Sequence, residues 1–406
     1  MSHASAATPS IDERTLVPDR RAEVELLLAC ARLSLDGATG RTVHTLLGES
    51  IDWELFTTAA REHRVIPLAY RALSQFGGGR VPGSVLDALR REYRGNARGN
   101  LHLTSELVRI LDAFAANGTP VVPYKGPFLA TLIYGDISLR QFGDLDILVH
   151  ERDIAAAVRA LEPLGYLPAS DITGKDVGFF HEGFGITLEV HWSITSDRHP
   201  VRIPPERLWE NLTECSFAGR TVQCHTPEDL LWILCVHGGQ HRWERLSWLC
   251  DVAELVRGGG FDWDAALKAT TEVRALRTVL VGLLLARDLL GAELPDGVVR
   301  AIDADRTVET LADYVKMCIR TMKTADQQLG DDAWYNIMLG EGFGERFRIA
   351  SKQAVPYAAL NARDKDALRL PWYFSCVLYV ARPVRVVWSY GLEPLKRQKR
   401  VPYHSR

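Results

Sequence analysis

At 406 residues, with 47% hydrophobic and 24% charged positions, the chain carries enough apolar material for two or three packed subdomains. A formal net charge of −3 excludes a protein that wraps nucleic acid through a globally basic surface, although a local basic groove stays compatible with it. The seven cysteines are dispersed without a CxxC pair and read as reduced core thiols, so a reducing, cytoplasmic setting is expected.

The first 20 residues are polar and lack an apolar core segment, which predicts a disordered N-terminus (1–20) rather than a signal peptide. From 21 to 117, apolar residues recur at three- and four-residue spacing, as in "AEVELLLACARLSL" and "DWELFTTAAREHRVIPLAYRAL". That spacing predicts an N-terminal helical region, stopped by Asn117-Gly118. Between 118 and 203 the texture changes to an α/β core. "TPVVPYKG" reads as a short β-rich run, "PFLATLIY" as helix and "DLDILV" (144–149) as a second strand. "ERDIAAAVRALEPLG" (151–165) is helical, and "GFFHEGFGITLEVHWSI" reads as two strands around a glycine-containing turn.

The stretch 204–390 is expected to be a C-terminal helical domain. "TPEDLLWILCVHGGQHRW" opens with Thr226 as N-cap, Pro227 at the first helical position and acidic residues in the first turn. "GGG" at 258–260 separates further helical segments, and a frayed basic tail (391–406) closes the chain. Apolar runs such as "TVLVGLLLA" (278–286) fall short of the roughly 20 residues that span a bilayer, so no membrane partner is expected. The predicted fold class is α+β: a small mixed β-sheet core flanked by helical regions.

The chemistry concentrates around "DLD". On a strand Asp144 and Asp146 project to the same side and Leu145 to the other. Paired carboxylates repel unless a cation compensates, and Mg²⁺, which takes carboxylate oxygens and leaves positions for phosphate, is the natural compensator. In "GITLEVHWSI", Glu189 and His191 share one strand face. If that strand lies beside 144–149, Glu189 completes a three-carboxylate cluster, as a ligand or as the base for an attacking hydroxyl. Lys125 and Gly126 end a strand and open a helix, placing a mobile cation and a close backbone approach near a phosphate. Arg140, in the loop feeding "DLD", is placed to pair with an aspartate or clamp a phosphate.

"YKGPFLATLIYGDISLRQFGDLDILV" followed by "GITLEVHWSI" resembles the DNA-polymerase-β-type nucleotidyltransferase superfamily, and within it a family of uncharacterised nucleotidyltransferases. "TPEDLLWILCVHGGQHRWERLSWLCDVAEL" extends the likeness, so that it covers roughly residues 120–265. The resemblance implies a nucleotidyltransferase core in which Asp144 and Asp146 hold Mg²⁺ (or Mn²⁺) with a nucleoside triphosphate, ATP favoured, and Glu189 is the third carboxylate. It implies transfer of a nucleotide, AMP favoured, to an acceptor the sequence does not identify; a small molecule, peptide or protein is favoured over an RNA end, which stays open. The superfamily usually has Gly-Ser or Gly-Gly where this chain has Gly126-Pro127, which removes one backbone donor. A catalytically weak nucleotide- or partner-binding module is therefore an alternative. The toxin-type nucleotidyltransferases share the Lys-Gly…Arg-x-x-x-Asp-x-Asp layout, so modification of tRNA is another.

His237 and His241 share a helix face if the helix continues through Gly238-Gly239. Without the HExxH glutamate or a third ligand they do not read as a zinc site, and are expected in the core or lining the cleft. His191 is expected in the site beside Glu189. Trp232, Trp243, Trp248 and Trp263 are expected in the core.

Overall fold

The computed structural model describes residues 21–169, 174–196, 199–321 and 332–358. The expected disordered N-terminus, the basic tail and Cys376 lie outside those residues. The fold is α+β. A five-stranded sheet contains β1 (Val122–Pro123), β2 (Asp144–Leu148), β3 (Leu167–Pro168), β4 (Asp176–His181) and β5 (Ile186–His191). Their order is β1-β2-β5-β4-β3, with β2 and β5 parallel and every other pair antiparallel. The predicted pair of strands around a glycine turn is the β4–β5 hairpin.

Alternation along the two central strands sorts their side chains. Leu145, Ile147, Leu188 and Val190 are fully buried in one apolar cluster with Phe114, Ala157 and Phe179. The carboxylates and His191 therefore emerge on the opposite face. Helix Gly83–Ala116, 34 residues long, bridges the two layers: Leu107, Ile110 and Phe114 pack under the sheet, while Leu89 belongs to a second, larger core. That second core joins residues from both helical regions, among them Leu26, Phe56 and Ile66 with Trp232, Leu249 and Leu284.

The region after residue 204 departs from the helical expectation at one place. β6 (Leu212–Phe217) and β7 (Arg220–His225) form an antiparallel hairpin before the helices begin. Its two-residue turn, Ala218-Gly219, has φ of 47° and 78°, the left-handed pair that matches hairpin twist. Alanine in place of asparagine at the first turn position, and strands with few large apolar residues, concealed the hairpin. The helix at Pro227–Gln240 starts as predicted, with the Thr226 side chain accepting from Asp229 N.

Gly238 lies inside that helix because of Trp243, and Gly239 because a Cβ there would sit 2.8 Å from the Thr278 methyl. A Cβ on Gly238 would sit 2.3 Å from the Trp243 ring, and one on Gly282 would sit 2.8 Å from it. The fully buried indole is thus wedged between two helices at positions where only hydrogen fits. Trp232 and Trp248 are likewise buried, as expected, and Trp263 packs against the same core.

Among the buried histidines that make the fold acid-sensitive, His199 and His225 lie outside the predicted site. His199 Nδ1 accepts from Val201 N at 3.1 Å, and His225 Nε2 lies 3.0 Å from Leu208 O. Burial lowers each from 6.5 to about 4. Each is neutral when folded and protonates more readily when unfolded, so its stabilisation is complete above pH 6.5 and is lost as pH falls towards 4. Thermal melts against pH are expected to show a slope reaching about 3 kcal/mol per pH unit from this pair between those limits. A His199→Gln variant is expected to remove about half of that slope.

Candidate active site

Parallel pairing of β2 and β5 sets Asp146 opposite Glu189, Asp144 opposite Thr187 and Leu148 opposite His191. Asp146, Glu189 and His191 offer ligand atoms that all lie within 4.8 Å of one another. His191 Nε2 is 3.1 Å from Asp146 Oδ1 and 3.2 Å from Glu189 Oε2. The other ring nitrogen faces Asp176 at 3.6 Å, and Lys175 pairs with that carboxylate in turn. The buried Nδ1 has no hydrogen-bond partner, so the ring has capacity beyond its present contacts. Asp144 is not one of this trio and lines the cavity beside it.

Environment separates the two aspartates. Burial opposes ionisation of Asp146, but Lys125 and His191 overcome it and hold the carboxyl well below the usual range. For Asp144, burial and then the neighbouring Asp146 charge raise the pKa. The Glu189 carboxyl is lowered chiefly by its hydrogen bond with His191. The donor set of carboxylates plus one imidazole, with Asp144 adjacent, fits a divalent cation.

Lys125 donates from Nζ to Asp146 Oδ1 at 3.1 Å and lies over the Tyr124 ring at 4.9 Å. Gly126 has φ of 56°, and a Cβ there would stand 3.2 Å from the Asp144 carbonyl oxygen. The glycine lets the Lys125 turn press against the mouth of β2. Pro127 follows inside a short helix, Gly126–Leu129, where its missing N–H leaves no intrahelical bond unmade.

Arg140 is engaged away from the strand carboxylates. Its Nε and Nη2 donate to Asp251 Oδ1 and Oδ2 at 2.8 and 2.9 Å, and the Tyr134 hydroxyl donates to Asp251 at 2.9 Å. All three side chains are buried. A π-helical turn, Ala130–Tyr134, ended by Gly135 at φ 65°, places the tyrosine, and Asp136 caps the next turn through Ser138 N at 2.8 Å. Asn100, on the long helix, donates to Arg140 O at 2.8 Å. Thus "YGDISLR" is a bolted support for the loop that delivers Asp144.

One cavity of ≈ 240 Å³ is lined by Asp144, Asp146, Glu189, Lys125, Gly126, Arg140, His237 and His241, bringing together every predicted site residue except His191, which lies buried just behind Asp146. His237, His241 and Trp248 form a ring cluster on its helical wall, with centroids 5.0–5.2 Å apart. Burial keeps both imidazoles neutral, with Lys125 adding to the effect; His241 is lowered to about 4. The cavity also takes Arg64, Gln141, Glu244 and Arg245, which the sequence reading did not single out. Asp251 had a legible signal: an acid in the middle of the apolar run "LCDVA" requires a buried cation. Arg64 and Arg245 carried none, since each is one arginine among many in helical text.

A half-buried cleft that gathers carboxylates at strand mouths beside lysine and arginine belongs to the class of sites that handle phosphorylated substrates. The family model described as uncharacterised nucleotidyltransferase matches residues 49–291, and the chain belongs to that family. It is a nucleotidyltransferase. Neither the curated proteins nor the solved structures give a significant match. Among the described residues, no helix is long and apolar enough to cross a membrane.

Proposed function

We propose that the cleft transfers a nucleoside monophosphate, AMP from ATP, to an acceptor hydroxyl with release of pyrophosphate. The carrying observation is the register that sets Asp146 beside Glu189 at 144–148 and 186–191, with Asp144 on the same face of one cavity. Asp144, Asp146 and Glu189, joined by His191, would hold Mg²⁺ or Mn²⁺. Bound there, the ion supplies neutralisation of the charge that builds on the α-phosphate and on departing pyrophosphate.

Glu189, the most exposed of the carboxylates, is oriented by His191 and is the residue to accept the proton of the attacking hydroxyl. The acceptor oxygen forms a bond to the α-phosphorus as the bond between that phosphorus and the bridging oxygen breaks. Lys125 keeps Asp146 ionised and remains within reach of a phosphate oxygen. Arg140 acts through Asp251 by fixing the loop. His237 and His241, uncharged, form the wall on which the base or acceptor rests.

The net charge of −3 supports an acceptor that is a small molecule, a peptide or a protein side chain rather than RNA. Free thiols among the described residues, with Cys30, Cys235 and Cys250 fully buried, support a cytoplasmic setting. The test is incubation of the protein with each α-labelled nucleoside triphosphate, Mg²⁺ and a cell extract. Labelled adenylate on one species, with stoichiometric pyrophosphate, is the expected result. Tight ATP binding without pyrophosphate release over hours would instead support a binding module.

A further inference from the structure

Two guanidinium groups in the cavity are left without a partner. Among the described residues, neither Arg64 nor Arg245 makes an ion pair or a side-chain hydrogen bond; Arg245 lies over the Trp248 ring at 5.3 Å. Both line the cavity with Lys125 and Arg140, but Lys125 is spent on Asp146 and Arg140 on Asp251. Asp144 and Glu244 also line the cavity, and the Asp144 charge acts on Arg64.

The backbone is built to bring the pair together. Arg64 adopts φ of 54°, a left-handed conformation that an arginine takes at a cost. The turn that carries it is fastened from both sides. His63 accepts from Leu246 N through Nδ1 at 3.2 Å, 183 positions away, and from Ser247 N through its carbonyl at 3.1 Å. Gln141 Oε1 accepts from Ile66 N at 3.0 Å, tying the same turn to the loop before Asp144. Burial, and after it the charge of Arg245, lowers the proton affinity of Arg64. Strain and repulsion between like charges oppose this arrangement, and the cross-core hydrogen bonds hold it in place against them. A polyanion between the two guanidiniums removes the repulsion and supplies the missing acceptors.

We infer that Arg64 and Arg245 form a polyphosphate clamp that grips the β- and γ-phosphates of the nucleotide, the part that leaves as pyrophosphate. This rests on the nucleotidyl-transfer reading of the cleft and names what selects a triphosphate. The clamp joins the N-terminal helices to the helix Leu246–Arg257, so a nucleotide is gripped by residues outside the strand motifs.

Calorimetric titration of the full chain with inorganic tripolyphosphate, without metal and then with Mg²⁺, tests it apart from catalysis. Arg64→Gly relieves the strained φ, so it is expected to unfold no earlier than wild type while binding tripolyphosphate about tenfold or more weakly. Arg245→Gln is expected to weaken it similarly. Asp144→Asn, which removes an acid beside Arg64, is expected to tighten metal-free binding. Wild-type affinity in both arginine variants, or no tripolyphosphate binding by wild type under either condition, would overturn the clamp. Earlier unfolding of Arg64→Gly with unchanged affinity would show a structural arginine and also overturn it. Absence of transfer with the arginine dependence intact sinks only the transfer reading; a wild-type KM for the nucleotide in Arg64→Gly sinks only the clamp.

Discussion

Asp144→Asn and Asp146→Asn are expected to move stability in opposite directions while each lowers nucleotidyl transfer by about a thousandfold or more. The shared loss follows from the proposed reaction, in which each carboxylate anchors positive charge at the α-phosphate and asparagine supplies no such charge. The stability effects follow from environment. Asp144 sits half-buried beside an ionised Asp146, which makes its own charge costly. An isosteric neutral amide removes that cost, so the variant is expected to melt later than wild type. Asp146 is 4% exposed and neutralises Lys125 while accepting from His191. Its replacement leaves a largely buried ammonium without its ion-pair partner, at a cost of about 3 kcal/mol. Thermal melts paired with pyrophosphate-release assays check both. A later melt for Asp146→Asn, or wild-type turnover in either variant, would contradict this account of the dyad.

Asp251→Asn is expected to be the most destabilising single change in the support behind the site, at about 3–5 kcal/mol. Arg140 and Asp251 have side chains only 9% and 2% exposed, and the bidentate pair also takes the Tyr134 hydroxyl. Burial opposes the Arg140 charge and Asp251 sustains it. Asparagine presents one carbonyl where a carboxylate met two N–H groups and a hydroxyl, so a guanidinium stays buried without its counter-ion. Urea unfolding should show a lowered midpoint at unchanged slope. Replacing both partners, with Arg140→Met and Asp251→Leu, should recover most of the loss, because no charge is then stranded. A double variant no more stable than Asp251→Asn would point instead to packing around Tyr134.

How far the sequence disclosed this arrangement depended on periodicity. Asp144, Asp146, Glu189 and His191 were legible because a period of two fixes which side chains share a face, and one assumption of adjacency then joined the two strands. The sheet supplies that adjacency as parallel pairing. Arg140 was noticed, but its partner lay on a helix more than a hundred positions on, and no local rule links them. The same holds for Arg64, whose significance arises from a backbone conformation and two distant hydrogen bonds. The β6–β7 hairpin was missed because its turn lacks the usual asparagine. Tyr134 to Asp136, opaque in the sequence, acquire physical reasons only once the Asp251 helix is in place.

The larger core has a consequence for synthesis. Residues 24–89 share one apolar core with residues 230–339, so during translation part of that core emerges well before the rest of it. At about 5–20 residues per second, the delay between the first set and the last is on the order of ten seconds to a minute. The sheet layer is complete by His225, so it can fold on the ribosome while the first helices still wait. Until the later helices arrive, the apolar Leu26–Ala31 face is expected to be covered by the neighbouring N-terminal helices alone. The Arg64 turn gains its fastening to Leu246 and Ser247 only when those residues arrive, so this corner of the cavity is completed after the sheet layer.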